Sequence, residues 1–201
     1  MSDNESVPIS DGKARVALGW GAGICLWTLL MAGGCAESNA PPPPDAASRF
    51  RSPGSKAART VALKVIDEGQ LSEALTRHRG KVLLVDFWAT WCPSCVELFP
   101  HTVQLHRAFS DKGLVVVTVS FDDPDSQPHV TETLQAKEAA GLENYLSRYG
   151  ASADSTRAFA IENDTLPTLR LYDRRGTLRQ TFGGGQQVDP GQIERAVAEL
   201  L

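Results

Sequence analysis

Cysteine is scarce in this chain of 201 residues, which carries four. That is too few for a disulfide-stapled scaffold, and the chain is long enough to stabilise itself by burial instead. An excess of charge is also missing: 20 Lys and Arg stand against 24 Asp and Glu, a net charge of −4 with a pI near 5.6. Both signs are interspersed, so there is no basic field to hold a polyanion, and no nucleic-acid partner is expected. The histidines His78, His101, His106 and His129 are scattered, and none stands at ligand spacing from another pair. Two cysteine sulfurs would therefore lack the two further ligands of a tetrahedral zinc site, and the histidines read as surface or helix-face residues. Gly183-Gly184-Gly185 is not followed by Lys-Ser or Lys-Thr, so it reads as a turn before the C-terminal helix rather than a phosphate loop. Asp122, Asp123 and Asp125 lack the glycine and terminal glutamate of a calcium loop and read as a solvated strand end. No internal repeat is present.

What the chain does have is one Cys-x-x-Cys, Trp91-Cys92-Pro93-Ser94-Cys95, directly after the apolar run Val82 to Trp88. A strand that delivers this pair to the first turn of a helix places it among unpaired backbone N–H groups and at the positive end of the helix dipole, which favour a thiolate over a thiol. Two intervening residues on a helical turn also let the sulfurs pair. Cys92 and Cys95 thus read as a redox-active dithiol. Cys25 and Cys35 lie in or just after an apolar N-terminal stretch and cannot share that chemistry.

Lys13 and Arg15 precede an uncharged run from Val16 to Ala36 that contains Ala32-Gly33-Gly34-Cys35. The run reads as an export signal. Small residues just before a cysteine resemble the bacterial lipobox, with Ala32 where a leucine is usual, and that resemblance implies cleavage ahead of Cys35 and its acylation. The competing reading is an uncleaved anchor, since about 20 apolar residues span a bilayer. Either one puts the following domain outside the cytoplasmic membrane, where disulfides persist. Residues 36–59 are rich in Ser, Ala, Pro and Arg, with Pro41 to Pro44 in a row, and read as a tether reaching roughly 70 Å if extended. The proline run could alternatively be a docking ligand.

After Thr60, β-branched runs alternate with stretches whose apolar residues recur every three to four positions, the mark of an α/β sandwich. Strands are predicted at Val61 to Val65, Lys81 to Trp88, Leu114 to Phe121 and Glu143 to Arg148. Helices are predicted from Leu71 to His78, from Pro93 to about Ser110, from about His129 to Glu138 and near Ser155 to Ile161. Leu169 to Tyr172 and Thr177 to Phe182 form a β-hairpin around Arg174-Arg175-Gly176. Ile193, Ala196, Val197 and Leu200 mark a C-terminal amphipathic helix. Pro93 fits a first helical turn, whereas Pro100 must kink the helix it interrupts.

With the elements in this order, residues 60–201 resemble the thioredoxin superfamily, and in particular its membrane-tethered TlpA/ResA-like branch. Three spacings besides the Cys-x-x-Cys carry the likeness: Asp86 six residues before Cys92, Pro100 five after Cys95, and Leu166-Pro167-Thr168 opening the penultimate strand. The resemblance implies a central mixed sheet flanked by helices, with an insertion before the cis-proline strand. It implies Cys92 as the exposed nucleophile, Cys95 as the buried resolving thiol, Asp86 as the buried carboxylate that exchanges its proton, and Pro167 as a cis-proline facing the dithiol. A buried carboxylate should have a raised pKa suited to moving a proton; the alternative is a half-exposed strand-end residue. Leu166 backbone groups would receive an extended substrate, with Pro93 beside it, and Trp91 forms part of the apolar rim or is a core aromatic.

The resemblance further implies a thiol:disulfide oxidoreductase without a bound cofactor. Its partners would be protein disulfides or dithiols and a membrane electron-relay thiol protein. Reductants of this branch commonly serve cytochrome c maturation or the reduction of envelope proteins. Pro93-Ser94 replaces the Gly-Pro of the commonest thioredoxin, which leaves the redox direction open. The competing readings are a redox-inert or metal-binding interaction module and a thiol peroxidase, the last requiring a cysteine without a partner two residues on.

Overall fold

The computed structural model describes residues 60–201. The expected leader ending at Cys35 and the expected tether over 36–59 lie outside the described residues. β2 (Val82–Trp88), with all seven residues buried, is the central strand. It pairs in parallel with β3 (Leu114–Ser120) and antiparallel with β5 (Thr168–Tyr172). Beyond β3 lie β4 (Glu143–Ser147) and the edge strand β1 (Leu63–Ile66); beyond β5 lies the other edge, β6 (Leu178–Gly183). The order is β1-β4-β3-β2-β5-β6, with the first four strands parallel and the last two joined by antiparallel pairing.

A strand covered on both faces calls for a near-continuous apolar run, and β2 meets that demand everywhere except at Asp86. Alternation along the strand then sorts its side chains between two cores. Val82, Leu84 and Trp88 join one core with α2 (Pro93–Phe109), α3 (Gln127–Ala136) and α5 (Pro190–Leu200). Leu83, Val85 and Phe87 join the other, with Leu71 and Ala74 of α1 (Glu68–Arg77) and with Phe159, which caps α4 (Ala153–Ala158). By the same alternation Asp86 belongs to the α2 face. Trp88 and Phe99, both buried, meet there with ring centroids 4.6 Å apart and fasten β2 to α2.

This is the thioredoxin-like α/β arrangement expected from the sequence. α3 and β4 form the segment ahead of the cis-proline strand, and β4 lies between β1 and β3. Differences from the predicted elements fall at their ends. α1 begins at Glu68 rather than Leu71 because Asp67 and Gln70 form a reciprocal capping box, with the Gln70 N–H donating to Asp67 at 2.9 Å and the Asp67 N–H to Gln70 at 3.0 Å. α5 likewise begins before its apolar stripe, with Asp189 as N-cap and Pro190 in the first turn.

Candidate active site

The Cys92–Cys95 pair stands where β2 passes the chain to α2. Cys92 is the N-cap of α2 and Pro93 its first residue, where a missing N–H costs no helical bond. The two sulfurs are joined in a disulfide, with Cα atoms 5.3 Å apart. The Cys95 N–H donates to Cys92 Sγ at 3.3 Å, and Ser94 Oγ lies 3.6 Å from the same sulfur. Both groups are placed to stabilise a thiolate on Cys92 once the disulfide opens. Cys92 is 7% exposed and Cys95 2%. Cys92 is therefore the more accessible of the pair, although more covered than the description of an exposed nucleophile suggests, because its N-cap position tucks the sulfur against the helical turn.

The loop between β2 and Cys92 is held from the neighbouring strand. Asp122, just past β3, accepts the Thr90 N–H at 3.0 Å and the Thr90 hydroxyl at 2.5 Å, and Ser120 Oγ donates to it at 2.5 Å. This corrects the solvated strand end expected there: Asp122 is 3% exposed, and its hydrogen bonds offset the cost of burying it. The aspartate run alone gave no sign of this, because the Thr90 partner lies 32 residues earlier in the chain.

Asp86 is 2% exposed, which excludes the half-exposed strand-end reading. Its Oδ2 accepts the Thr102 hydroxyl at 2.8 Å. Burial raises its pKa from 3.8 to about 7, and the Thr102 hydrogen bond opposes that rise only in part. Thr102 lies seven residues after Cys95, so both project from the same face of α2, and the Asp86 carboxyl group meets that face about two turns beyond Cys95. Thr102 is a site residue that sequence reasoning missed. Its only signal is that spacing.

The Leu166–Pro167 peptide is cis, and Pro167 immediately precedes β5. The Pro167 carbonyl accepts the Gly184 N–H at 3.1 Å. Gly183, with φ +83°, passes so close that a Cβ there would stand 2.0 Å from the Pro167 oxygen. Both the left-handed backbone and the close approach require glycine, and the triple-glycine turn thereby shapes the wall formed by the cis-proline. Between that wall and the first turns of α2 lies a cleft of about 520 Å³, lined by Ser94, Glu97, Leu98, Leu166, Pro167 and Gln186 among others. Leu166 and Pro167 line this cleft. Trp91 and Pro93 do not line it; Trp91 is 58% exposed, which excludes the core-aromatic reading. Cys35 lies outside the described residues.

Residues 54–182 match the family model described as the AhpC/TSA family. The chain belongs to the AhpC/TSA family. Protein DipZ of Mycobacterium bovis is 33% identical over 126 residues, covering 61% of this chain and 17% of DipZ. Thiol-disulfide oxidoreductase ResA of Halalkalibacterium halodurans is 25% identical over 126 residues, covering 59% of this chain and 62% of ResA. The chain therefore spans less than two thirds of either relative's length. A crystal structure from Chlorobium tepidum, provisionally described as a thiol:disulfide interchange protein DsbE, matches with a TM-score of 0.53 at 25% identity, covering 63% of this chain and 84% of that one. The thioredoxin-like fold of this AhpC/TSA protein is shared with it.

The raised pKa of Asp86 fixes the sign of a pH effect. An acid held neutral by burial costs the fold nothing below its unfolded pKa of 3.8, costs progressively more as pH rises toward 7, and imposes its full penalty above that. Asp86→Asn keeps the shape without the charge. Urea unfolding of the oxidised protein is expected to show the variant more stable at pH 8, by up to roughly 4 kcal/mol, with the difference vanishing near pH 3.5. Equal gains at both pH values would show that Asp86 does not titrate between them.

Proposed function

We propose that this protein is an envelope thiol:disulfide oxidoreductase that acts through Cys92 and Cys95, as a reductant of protein disulfides. The observation that carries the reading is the placement of the pair at the N-terminus of α2, on a helix that also contacts the buried Asp86 carboxyl group through Thr102, with Ser94 between the cysteines lining a cleft walled by the cis Leu166–Pro167 peptide. The name of the ResA relative agrees with it.

In the reduced protein the Cys92 thiolate attacks one sulfur of a substrate disulfide. A new S–S bond forms between Cys92 and the substrate, and the other substrate sulfur leaves as a thiolate that takes up a proton. The Cys95 thiol then loses its proton, with ionised Asp86 as acceptor, and attacks Cys92 Sγ. The mixed disulfide breaks, the second substrate sulfur departs as a thiol, and Cys92–Cys95 is left oxidised. Two electrons have passed to the substrate. Asp86, with a pKa of about 7, is divided between its two forms near neutrality and suits proton transfer in either direction. An extended substrate segment lies along the Leu166 backbone in the cleft, with Trp91 and Pro93 at its outer rim. The same steps reversed return electrons from a membrane thiol relay, and cytochrome c maturation is one process that such a reductant serves.

No helix among the described residues is long and apolar enough to cross a membrane. Attachment rests on the N-terminal sequence, with cleavage at Ala32-Gly33-Gly34-Cys35, acylation of Cys35 and a tether over 36–59. That arrangement leaves 60–201 as the thioredoxin-like domain facing the periplasm.

Cys95→Ser cannot resolve the mixed disulfide. Expressed in the envelope, it is expected to accumulate dithiothreitol-sensitive adducts on non-reducing gels, whereas Cys92→Ser forms none; absence of adducts from both would remove the enzyme reading. Equilibration with glutathione is expected to give a potential near or below roughly −270 mV, and a value near roughly −120 mV would make the protein an oxidant instead. Mass spectrometry of the mature N-terminus is expected to find acylated Cys35, while an unmodified peptide beginning at Met1 would exclude the lipoprotein.

A further inference from the structure

α2 runs unbroken from Pro93 to Phe109 although Pro100 lies inside it. In a helix the carbonyl of residue i−4 accepts the N–H of residue i, and proline has none, so Pro100 deprives the Val96 carbonyl of its partner. Its ring also crowds that carbonyl outward. Val96 directly follows Cys95, so the orphaned acceptor sits in the turn that carries the dithiol. An unpaired, partly buried carbonyl there would weaken the turn.

The vacancy is filled from another element. Lys137, the C-cap of α3, donates from Nζ to the Val96 carbonyl at 3.1 Å, across 41 residues of sequence. This is the ammonium group's hydrogen bond, and Lys137 forms no ion pair among the described residues. The next residue, Glu138, pairs with Arg107, three turns beyond Val96 along α2. Leu134 of α3 and the following Ala139 and Leu142 are buried in the same core as Cys92, Cys95, Phe99 and Val103. The C-terminal end of α3 is thus packed against α2 and carries a cation to the point where α2 lacks a donor.

We propose that Lys137 is a positioning residue for the dithiol: by donating to the Val96 carbonyl it replaces the N–H that Pro100 lacks and fixes the first turn of α2 around Cys92 and Cys95. The Cys95 N–H held 3.3 Å from Cys92 Sγ and the Val96 N–H held 3.1 Å from the Cys92 carbonyl both belong to that turn. A looser turn stabilises the Cys92 thiolate less well, and the reduced form loses more than the disulfide form, whose covalent bond holds the turn on its own. Removing Lys137 therefore makes the pair more reducing. The inference rests on the oxidoreductase reading only in the second of its two measurements.

The test uses the full chain with Lys137→Met, which removes donor and charge, Lys137→Gln, which keeps a donor without the charge, and Glu138→Gln, which breaks the adjacent ion pair. Hydrogen exchange on the dithiol form, kept reduced with dithiothreitol, reads the turn without redox turnover: the amides of Val96 and Glu97 are expected to exchange at least fivefold faster in Lys137→Met than in the unmodified protein. Equilibration with glutathione, followed by alkylation and mass spectrometry, reads the chemistry. Lys137→Met is expected to shift the equilibrium threefold to tenfold toward the disulfide, about 15 to 30 mV for a two-electron couple, with Lys137→Gln between it and the unmodified protein and Glu138→Gln unchanged. Unchanged exchange in Lys137→Met overturns the proposal, as does faster exchange with an equilibrium within twofold of the unmodified protein. Equal shifts in Lys137→Gln and Lys137→Met also overturn it, since the charge rather than the hydrogen bond would then be the agent. A protein that exchanges no disulfides with partner proteins but shows these shifts refutes the oxidoreductase reading alone.

Discussion

Burial of β2 on both faces is the constraint on which the site depends. A strand enclosed between two helical layers has no water to offer a charge, so the pKa of the one carboxyl group on it, Asp86, is raised to about 7. The same enclosure makes β2 rigid at its C-terminal end, and α2 starts from that end. Trp88 against Phe99 fastens strand to helix, so the sulfurs of Cys92 and Cys95 are placed by the buried core rather than by a free loop.

Around that junction the backbone is held by side chains from elsewhere in the chain. Asp122 takes up the Thr90 N–H and hydroxyl before Cys92, and Lys137 supplies the Val96 carbonyl after Cys95. Gly183 and Gly184 shape the cis-proline wall from beyond β5. Three segments distant in sequence thus meet the two ends of one turn and the cis-proline wall. The α3–β4 segment adds a strand to the sheet and brings Lys137 to the active-site helix.

Much of this fold was legible beforehand because its signals are local. Alternation and β-branched runs place the strands, a three-to-four-residue period places the helices, and the position of Pro93 after Cys92 marks the start of α2. Helix ends were less legible at α1, where the Asp67 and Gln70 capping box extends the helix ahead of its first apolar residue. Asp122 departs from its sequence-based expectation for a different reason. An aspartate beside a strand end is usually solvated, and only its packing against Thr90 and Ser120 shows otherwise.

The sequence by itself determined the elements and the dithiol, since the period of apolar residues and the two-residue gap between Cys92 and Cys95 are properties of neighbouring positions. The likeness of Asp86, Pro100 and Leu166-Pro167 to a known pattern pointed to the remaining core of the site. Only the tertiary structure decided how far Asp86 is desolvated, which hydroxyl it accepts, that Trp91 stands outside the cleft, and that Lys137 fills the place Pro100 leaves empty. Those outcomes depend on burial and on hydrogen bonds between residues far apart in the chain, and no local period records which distant partner folding will bring within 3 Å.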